Sequence, residues 1–202
     1  MFTDPSQDGA PAPDFTKELP NQVVTNASFT SILASPFISP EECKAILDDT
    51  VLELWSDQIN SGNTIHIAKS QKLRGDKEGF PFIPIKEATK LANDQVYKFA
   101  VDGIIAQDHP QIIKYTKKSF YDWHNDLNPA FNTRKLTFII NLSHPEECEG
   151  GKLEFLNSDT SDLFNQQGTI VIFPSFTVHR ITPIKKGNKS IVVGHIHGST
   201  FR

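Results

Sequence analysis

The sequence predicts an α+β fold in which N-terminal helices pack on a double-sheet jelly roll, a double-stranded β-helix. Two changes of pattern carry this. Within about residues 39 to 105 two stretches, Cys43 to Leu54 and Ile85 to Ala100, repeat apolar residues at three- and four-residue steps, and from Gln111 onward short β-rich runs alternate with Gly, Pro and Asn clusters. About seven or eight such runs suit a jelly roll of antiparallel strands. A chain of 202 residues, 38% of them hydrophobic, can bury one substantial core. The expected organisation is one domain over residues 29–202, preceded by an arm over 1–28.

The arm carries Pro5, Pro11, Pro13 and Pro20 among polar residues and reads as extended or mobile, with Phe2, Phe15 and Val23-Val24 as anchors should it pack. Ser39-Pro40-Glu41-Glu42 is a helix start: Ser39 caps, Pro40 suits the first turn and Glu42 completes a capping box. The stripe Cys43, Ile46, Leu47, Val51 and Leu54 should then face the core. Residues 56–82 are polar, with one short strand expected at Asn63 to Ala68. Their basic run, Lys69, Lys72, Arg74 and Lys77, reads as a solvated face or as a rim that attracts an acidic substrate. A second helix is expected from about Pro84 to Ile104, burying Ile85, Ala88, Leu91, Ala92, Val96, Phe99 and Ala100. Strands are expected at 111–115, 119–124, 135–142, 152–156, 169–173, 178–183 and 190–197.

Composition excludes several classes of function. With 20 Lys and Arg against 24 Asp and Glu, net charge −4, there is no broad footprint for nucleic acid. Cys43 and Cys148 form no Cys-X-X-Cys pair, so neither a disulfide framework nor a thiolate zinc site is implied and a reducing compartment fits. No basic segment precedes an apolar run and no stretch approaches the ~20 apolar residues of a membrane span. The expectation is a cytoplasmic protein with no membrane partner.

The chemistry concentrates in Tyr121-Asp122-Trp123-His124-Asn125-Asp126 and Phe173-Pro174-Ser175-Phe176-Thr177-Val178-His179. On a strand running into a turn, His124 and Asp126 can point at one ion. His179 ends a second apolar run that could lie beside the first. Two imidazoles and one carboxylate leave about three open positions on an octahedral ion, as oxygen chemistry at Fe(II) requires. The alternating pair His195 and His197 is a rival, but no carboxylate accompanies it, so both read as satisfied strand histidines outside the site. His66, His109 and His144 lie in polar or turn contexts.

In order and spacing, this stretch, the runs Arg134 to Pro145, Glu149 to Phe155 and His179 to Pro183, and the earlier Phe37-Ile38-Ser39-Pro40-Glu41-Glu42-Cys43 resemble the prolyl 4-hydroxylase-like 2-oxoglutarate/Fe(II)-dependent dioxygenases. The pattern is similar to that of the PKHD-type hydroxylases. The resemblance implies a cupin-like jelly roll and Fe(II) held by His124, Asp126 and His179. It also implies 2-oxoglutarate as co-substrate with O2, and ascorbate as reductant. Lys189, ten positions after His179, would bind the C5 carboxylate of 2-oxoglutarate, with Tyr115 beside it and Asn141 where some relatives carry a tyrosine; Lys185 and Lys186 are rival cations. Lys118 stands where the family commonly has glycine, and His195 where it has tryptophan. The implied reaction is hydroxylation of a C–H bond, of a prolyl residue in a peptide or protein before other substrates, while 2-oxoglutarate becomes succinate and CO2. Open beside it stand a hydroxylase of a free amino acid or other small molecule, a non-catalytic jelly-roll binding module, and a Zn- or Mn-dependent cupin isomerase or hydrolase.

Overall fold

The structure, a computed structural model, describes residues 23–201 apart from 28–29, 59–64, 128 and 159–161. Its elements run β1 (Val23–Ala27), β2 (Thr30–Pro36), α1 (Pro40–Asp48), β3 (Ser56–Gln58), β4 (Ile65–Lys72), α2 (Phe82–Ala92) and β5 (Val101–Gly103). Then follow β6 (Gln111–His124), β7 (Arg134–Asn141), β8 (Cys148–Gly150), β9 (Leu153–Phe155), β10 (Thr169–Pro174), β11 (His179–Ile181), β12 (Ile184–Gly187) and β13 (Lys189–Gly198).

One curled antiparallel sheet has the order β1-β2-β10-β7-β13-β6-β11-β9, with β4 also on β6 and β5 also on β13. The curl comes from β6. Its first half pairs with β13, Tyr115 opposite Lys189, and its second half with β11, so the strand passes from one layer to the other. The break between the two halves, expected as a gap between strands, is a bulge inside one strand. Lys118 takes a left-handed φ of 73°, and the Thr116 amide donates to Ser119 Oγ at 3.0 Å. This is the jelly roll expected, with its helices on one side.

Strand alternation divides the interior in two. Ile32, Tyr115, Ile139, Val171, Phe173 and Ile191 fill the space inside the roll. Their neighbours Leu33, Ile112, Phe138, Ile140, Ile172 and Val192 face outward and pack with Cys43 and Ile46 of α1 and Ile85, Ala88 and Ala92 of α2. Each fully buried Ile or Phe in either layer contributes roughly 1.5–3 kcal/mol. Both faces of β10 and β13 are covered, which is why they read as unbroken apolar runs rather than as alternations. Gly194, opposite Phe138, is required where β13 crosses that ring, because a Cβ there would run into it.

The helices are shorter than their stripes suggest. The capping box of α1 forms as expected, with the Glu42 amide donating to Ser39 Oγ at 3.2 Å and the Ser39 amide to Glu42 Oε2 at 2.7 Å. The helix nevertheless stops at Asp48, where the Asp49 N–H and Thr50 Oγ1 both bond back to the last turn. Val51 is drawn off to Gln71 of β4, and Leu54 is 56% exposed rather than core. The second helix ends at Ala92, followed by one wide turn over Asn93–Tyr97, not at Ile104. The Asn93 side chain stops it by bonding both the amide and the carbonyl of Phe99 at 2.9 Å, and Lys98 turns left-handed at φ 56°. Val96 is accordingly exposed.

Of the expected arm, residues 1–22 and 28 lie outside the described residues, while Val23–Ala27 pair with β2 as β1. Residues 63–64 of the expected strand at 63–68 also lie outside them; the strand that follows, β4, runs on to Lys72. Lys69, Lys72 and Arg74 are exposed on or just after it. Among the described residues no helix is long and apolar enough to cross a membrane.

Candidate metal centre

β6 and β11 bring two histidines face to face. His124 is the cross-strand partner of His179, and their ring centroids lie 4.2 Å apart. Each ring is anchored in the same local way, through Nδ1 to a carbonyl two residues earlier: His124 to Asp122 at 2.7 Å and His179 to Thr177 at 3.0 Å. A ring that donates from Nδ1 keeps its lone pair on Nε2, the form that binds a metal.

Asp126 is fixed in the turn after β6. Its amide donates to the Ser175 carbonyl at 2.8 Å, and its Oδ2 accepts from Thr137 Oγ1 of β7 at 2.6 Å. Its carboxylate then stands 3.7 Å from His124 Nε2 and 3.8 Å from His179 Nε2. One ligand atom from each residue lies within 4.8 Å of the others, and among the described residues this is the cluster whose donors suit a metal. Two free Nε2 atoms and an oriented carboxylate fit a divalent ion with open positions.

Electrostatics favour the ligating forms. Burial, with His179 next to it, pulls His124 down to about 4, so it is neutral at neutral pH. Burial opposes ionisation of Asp126, but His179, His195 and His124 outweigh it and hold the carboxyl well below the usual carboxylate range. Tyr121 stacks on the His124 ring at 3.5 Å, and Phe173 meets the His179 ring at 4.8 Å, so neither imidazole can turn without moving an aromatic neighbour.

The cluster opens into a cavity of about 160 Å³ with apolar walls of Ile139, Ile181, Ile191 and Val193. At roughly five water volumes it holds one small molecule. Tyr115 lines this cavity, and burial pushes its hydroxyl up, with Tyr121 and Asp126 adding to the effect. Lys189 and Asn141 line a neighbouring cavity of about 250 Å³. Lys189 is buried and donates to Asn165 Oδ1 at 3.1 Å, and burial pulls its ammonium down to about 8. The Asn141 amide donates to the carbonyls of Asn165 at 2.7 Å and Ser143 at 3.0 Å. Tyr115 thus shares a cavity with the metal cluster, while Lys189, its strand partner, lines the neighbouring one. Lys185 is solvent-exposed and pairs with Glu149 at 3.8 Å.

A second polar group stands beside the cluster, built on Asp108, which no sequence motif marks. Asp108 accepts from Arg134 at 2.7 and 2.8 Å and bonds His197 Nε2 at 2.9 Å, and His195 Nδ1 stands 3.1 Å from it. His197 also meets Thr133 at 2.9 Å and is satisfied, as expected. His195 is not: its Nε2 is buried without a hydrogen-bond partner, and the ring lines the metal cavity. Burial lowers the pKa of His195, but Asp108 and Asp126 more than offset it, so it lies above the ordinary histidine value. Arg134 and Asp108 are 26 positions apart, and no local pattern links them.

The family model of the 2OG-Fe(II) oxygenase superfamily matches residues 110–197. A PKHD-type hydroxylase of Crocosphaera subtropica is 36% identical over 119 residues, covering 53% of this chain and 50% of its own length. A PKHD-type hydroxylase of Synechococcus sp. (strain CC9605) is 35% identical over 113 residues, covering 54% and 50%. The chain therefore spans about half the length of these relatives. Among solved structures, the fold is similar to a prolyl-4-hydroxylase of Pseudomonas putida, with a TM-score of 0.64 at 15% identity, covering 83% of this chain and 92% of that one. A prolyl hydroxylase of Trichoplax adhaerens, solved with a hypoxia inducible factor peptide fragment, gives 0.65 at 16% identity, covering 83% of each. Residues 110–197, which carry both histidines and the aspartate of the cluster, are thus the part of the chain that is similar to the 2OG-Fe(II) oxygenase superfamily, and PKHD-type hydroxylases are similar to it over about half of their length.

Proposed function

We propose that the protein is an Fe(II)/2-oxoglutarate-dependent dioxygenase that hydroxylates a C–H bond, with a prolyl residue of a peptide or protein as substrate. The observation that carries this is the pair of opposed histidines, each with Nδ1 tied to backbone and Nε2 free beside the Asp126 carboxylate. His124, Asp126 and His179 hold Fe(II). Lys189 and Tyr115 receive the far carboxylate of 2-oxoglutarate, an ammonium being a compact partner for a buried carboxylate, and Asn141 braces the wall beside them. Bound there, iron, the keto acid and O2 supply the oxidation that hydroxylates the substrate, releasing succinate and CO2, and ascorbate keeps the iron reduced.

The protein's own part is orientation and exclusion of water. The Ile139, Ile181, Ile191 and Val193 walls shed water from the cavity, and Thr137 and Ser175 aim Asp126 at the histidines. No acid or base side chain is needed. The prolyl reading draws support from solved neighbours that are prolyl hydroxylases, one of them bound to a peptide fragment. Screening proline-containing peptides for a mass gain of one oxygen, coupled to succinate release, tests it. Turnover of free amino acids or other small molecules alone would end the prolyl reading and leave the reaction class standing. Absence of any substrate-dependent decarboxylation would instead favour a binding module.

A further inference from the structure

His195 hangs from the inner face of β13, with Ile191 and Val193 before it on the same wall of the metal cavity. One side of its ring is clamped. Nδ1 stands 3.1 Å from Asp108 Oδ2, and Asp108 cannot swing away because Arg134 grips both its oxygens and His197 bonds Oδ2 as well. The other side is free: Nε2 has no hydrogen-bond partner and is shut off from solvent.

A buried nitrogen left without a partner is destabilising, so its persistence calls for an explanation. Because solvent does not reach the atom, a guest in the cavity does not easily reach it either. What it faces is Asp126, whose Oδ2 lies 3.7 Å away. That is about 0.7 Å beyond a good N–H···O bond, a gap that a small rotation of the carboxylate closes. The same Oδ2 already accepts from Thr137, which leaves Oδ1 as the oxygen available to an ion.

We propose that His195 is a positioning residue for the metal centre: its Nε2 closes on Asp126 Oδ2 when Oδ1 is drawn to a divalent ion, and with Thr137 it keeps the carboxylate a one-oxygen ligand. The proposal rests on the metal site of the proposed function and adds a reason for the Asp108, Arg134 and His195 array. A carboxylate free to swing could cover a second position on the ion with its other oxygen. One whose Oδ2 is held from two sides leaves that position open, and open positions are what distinguish this ligand set.

Titration of the metal-free protein with Co(II) under exclusion of air, followed by visible absorption and calorimetry, tests this on the parent, His195→Leu and His195→Gln. His195→Leu keeps bulk and loses the donor. It should bind Co(II) about 10–100-fold more weakly, with a changed absorption spectrum. His195→Gln keeps an N–H donor and should recover most of the affinity and the parent spectrum. Metal-free melting temperatures should match among the three. The proposal is overturned if His195→Leu binds Co(II) within about twofold of the parent with the same spectrum, or if His195→Gln loses as much as His195→Leu, since ring packing would then be the whole effect. A parent that takes up no Co(II), or a His124→Ala variant that binds it as the parent does, would overturn the metal site itself and this proposal with it.

Discussion

His124 and His179 stand directly opposite one another across the β6–β11 ladder, each tied by Nδ1 to the carbonyl two residues before it. The arrangement presents two Nε2 atoms without further adjustment, and Asp126 completes the set from the adjoining turn. His124→Ala, Asp126→Ala and His179→Ala should each weaken Fe(II) binding by at least roughly 100-fold and abolish turnover, because two ligands cannot hold the geometry of three. An anaerobic titration with Fe(II) and 2-oxoglutarate should give a visible charge-transfer band in the parent alone. A variant that keeps the band removes its residue from the ligand set.

Burial and His179 lower His124 from an ordinary 6.5 to about 4, and this sets a direction for acid. Between those values the unfolded chain takes up a proton that the folded one refuses, so protons favour unfolding. The metal-free protein should lose stability as pH falls from about 6.5 to about 4, by at most about 3 kcal/mol from this residue. Denaturant titrations across that window should show the loss, and His124→Gln should flatten the slope. An unchanged slope in the variant would place the acid sensitivity on other groups.

Lys189 is buried with Asn165 as its hydrogen-bond partner, next to Tyr115 in the ladder. If its ammonium meets the far carboxylate of 2-oxoglutarate, Lys189→Ala leaves a charge unpaired in a partly buried pocket and should cost roughly 3–5 kcal/mol of co-substrate binding. Fe(II) binding should persist, and Lys189→Arg should regain part of the loss because the charge remains. Lys185→Ala and Lys186→Ala should be close to neutral. Equal 2-oxoglutarate affinity in the parent and Lys189→Ala would mean that another group holds the carboxylate.

Lys118 holds a left-handed backbone at φ 73° in the bulge of β6, exposed and outside the cavity. Glycine there removes strain of about 1–2 kcal/mol and adds up to about 1 kcal/mol of chain entropy to the unfolded state. Lys118→Gly should therefore stabilise by up to about 1 kcal/mol, raising the melting temperature by at most roughly 2–4 °C. Lys118→Val should lower it. Thermal melts in which glycine lowers and valine raises the midpoint would contradict the bulge geometry.

The strands and the opposed histidines were legible because each depends on local pattern: an apolar run, a turn and a ligand residue at its end. The second helix misled because its stripe continues through Val96 to Ala100 while one side chain, Asn93, ends it by bonding Phe99. β1, β3, β5, β8 and β12 are short or polar and take their shape from partner strands rather than from their own residues, and β2, also outside the expected strands, is a short run placed by its pairing with β10. Its place in an apolar strand makes His195 look satisfied, and only the fold shows that its clamp reaches one nitrogen and not the other. The array of Asp108 and Arg134 could not be read at all, since its members come from separate elements and are joined solely by the closing of the roll.

Along the middle of β13 successive side chains part to opposite sides: Ile191, Val193 and His195 belong to the cavity, Val192 and Ile196 to the helix layer. Single substitutions can therefore reshape what the cavity accepts while the helix layer stays intact. Insertion or loss of one residue cannot, because it would exchange the two sets at a stroke. Diversification of such a strand should proceed by replacement in place, with changes of length confined to the hairpins at its ends.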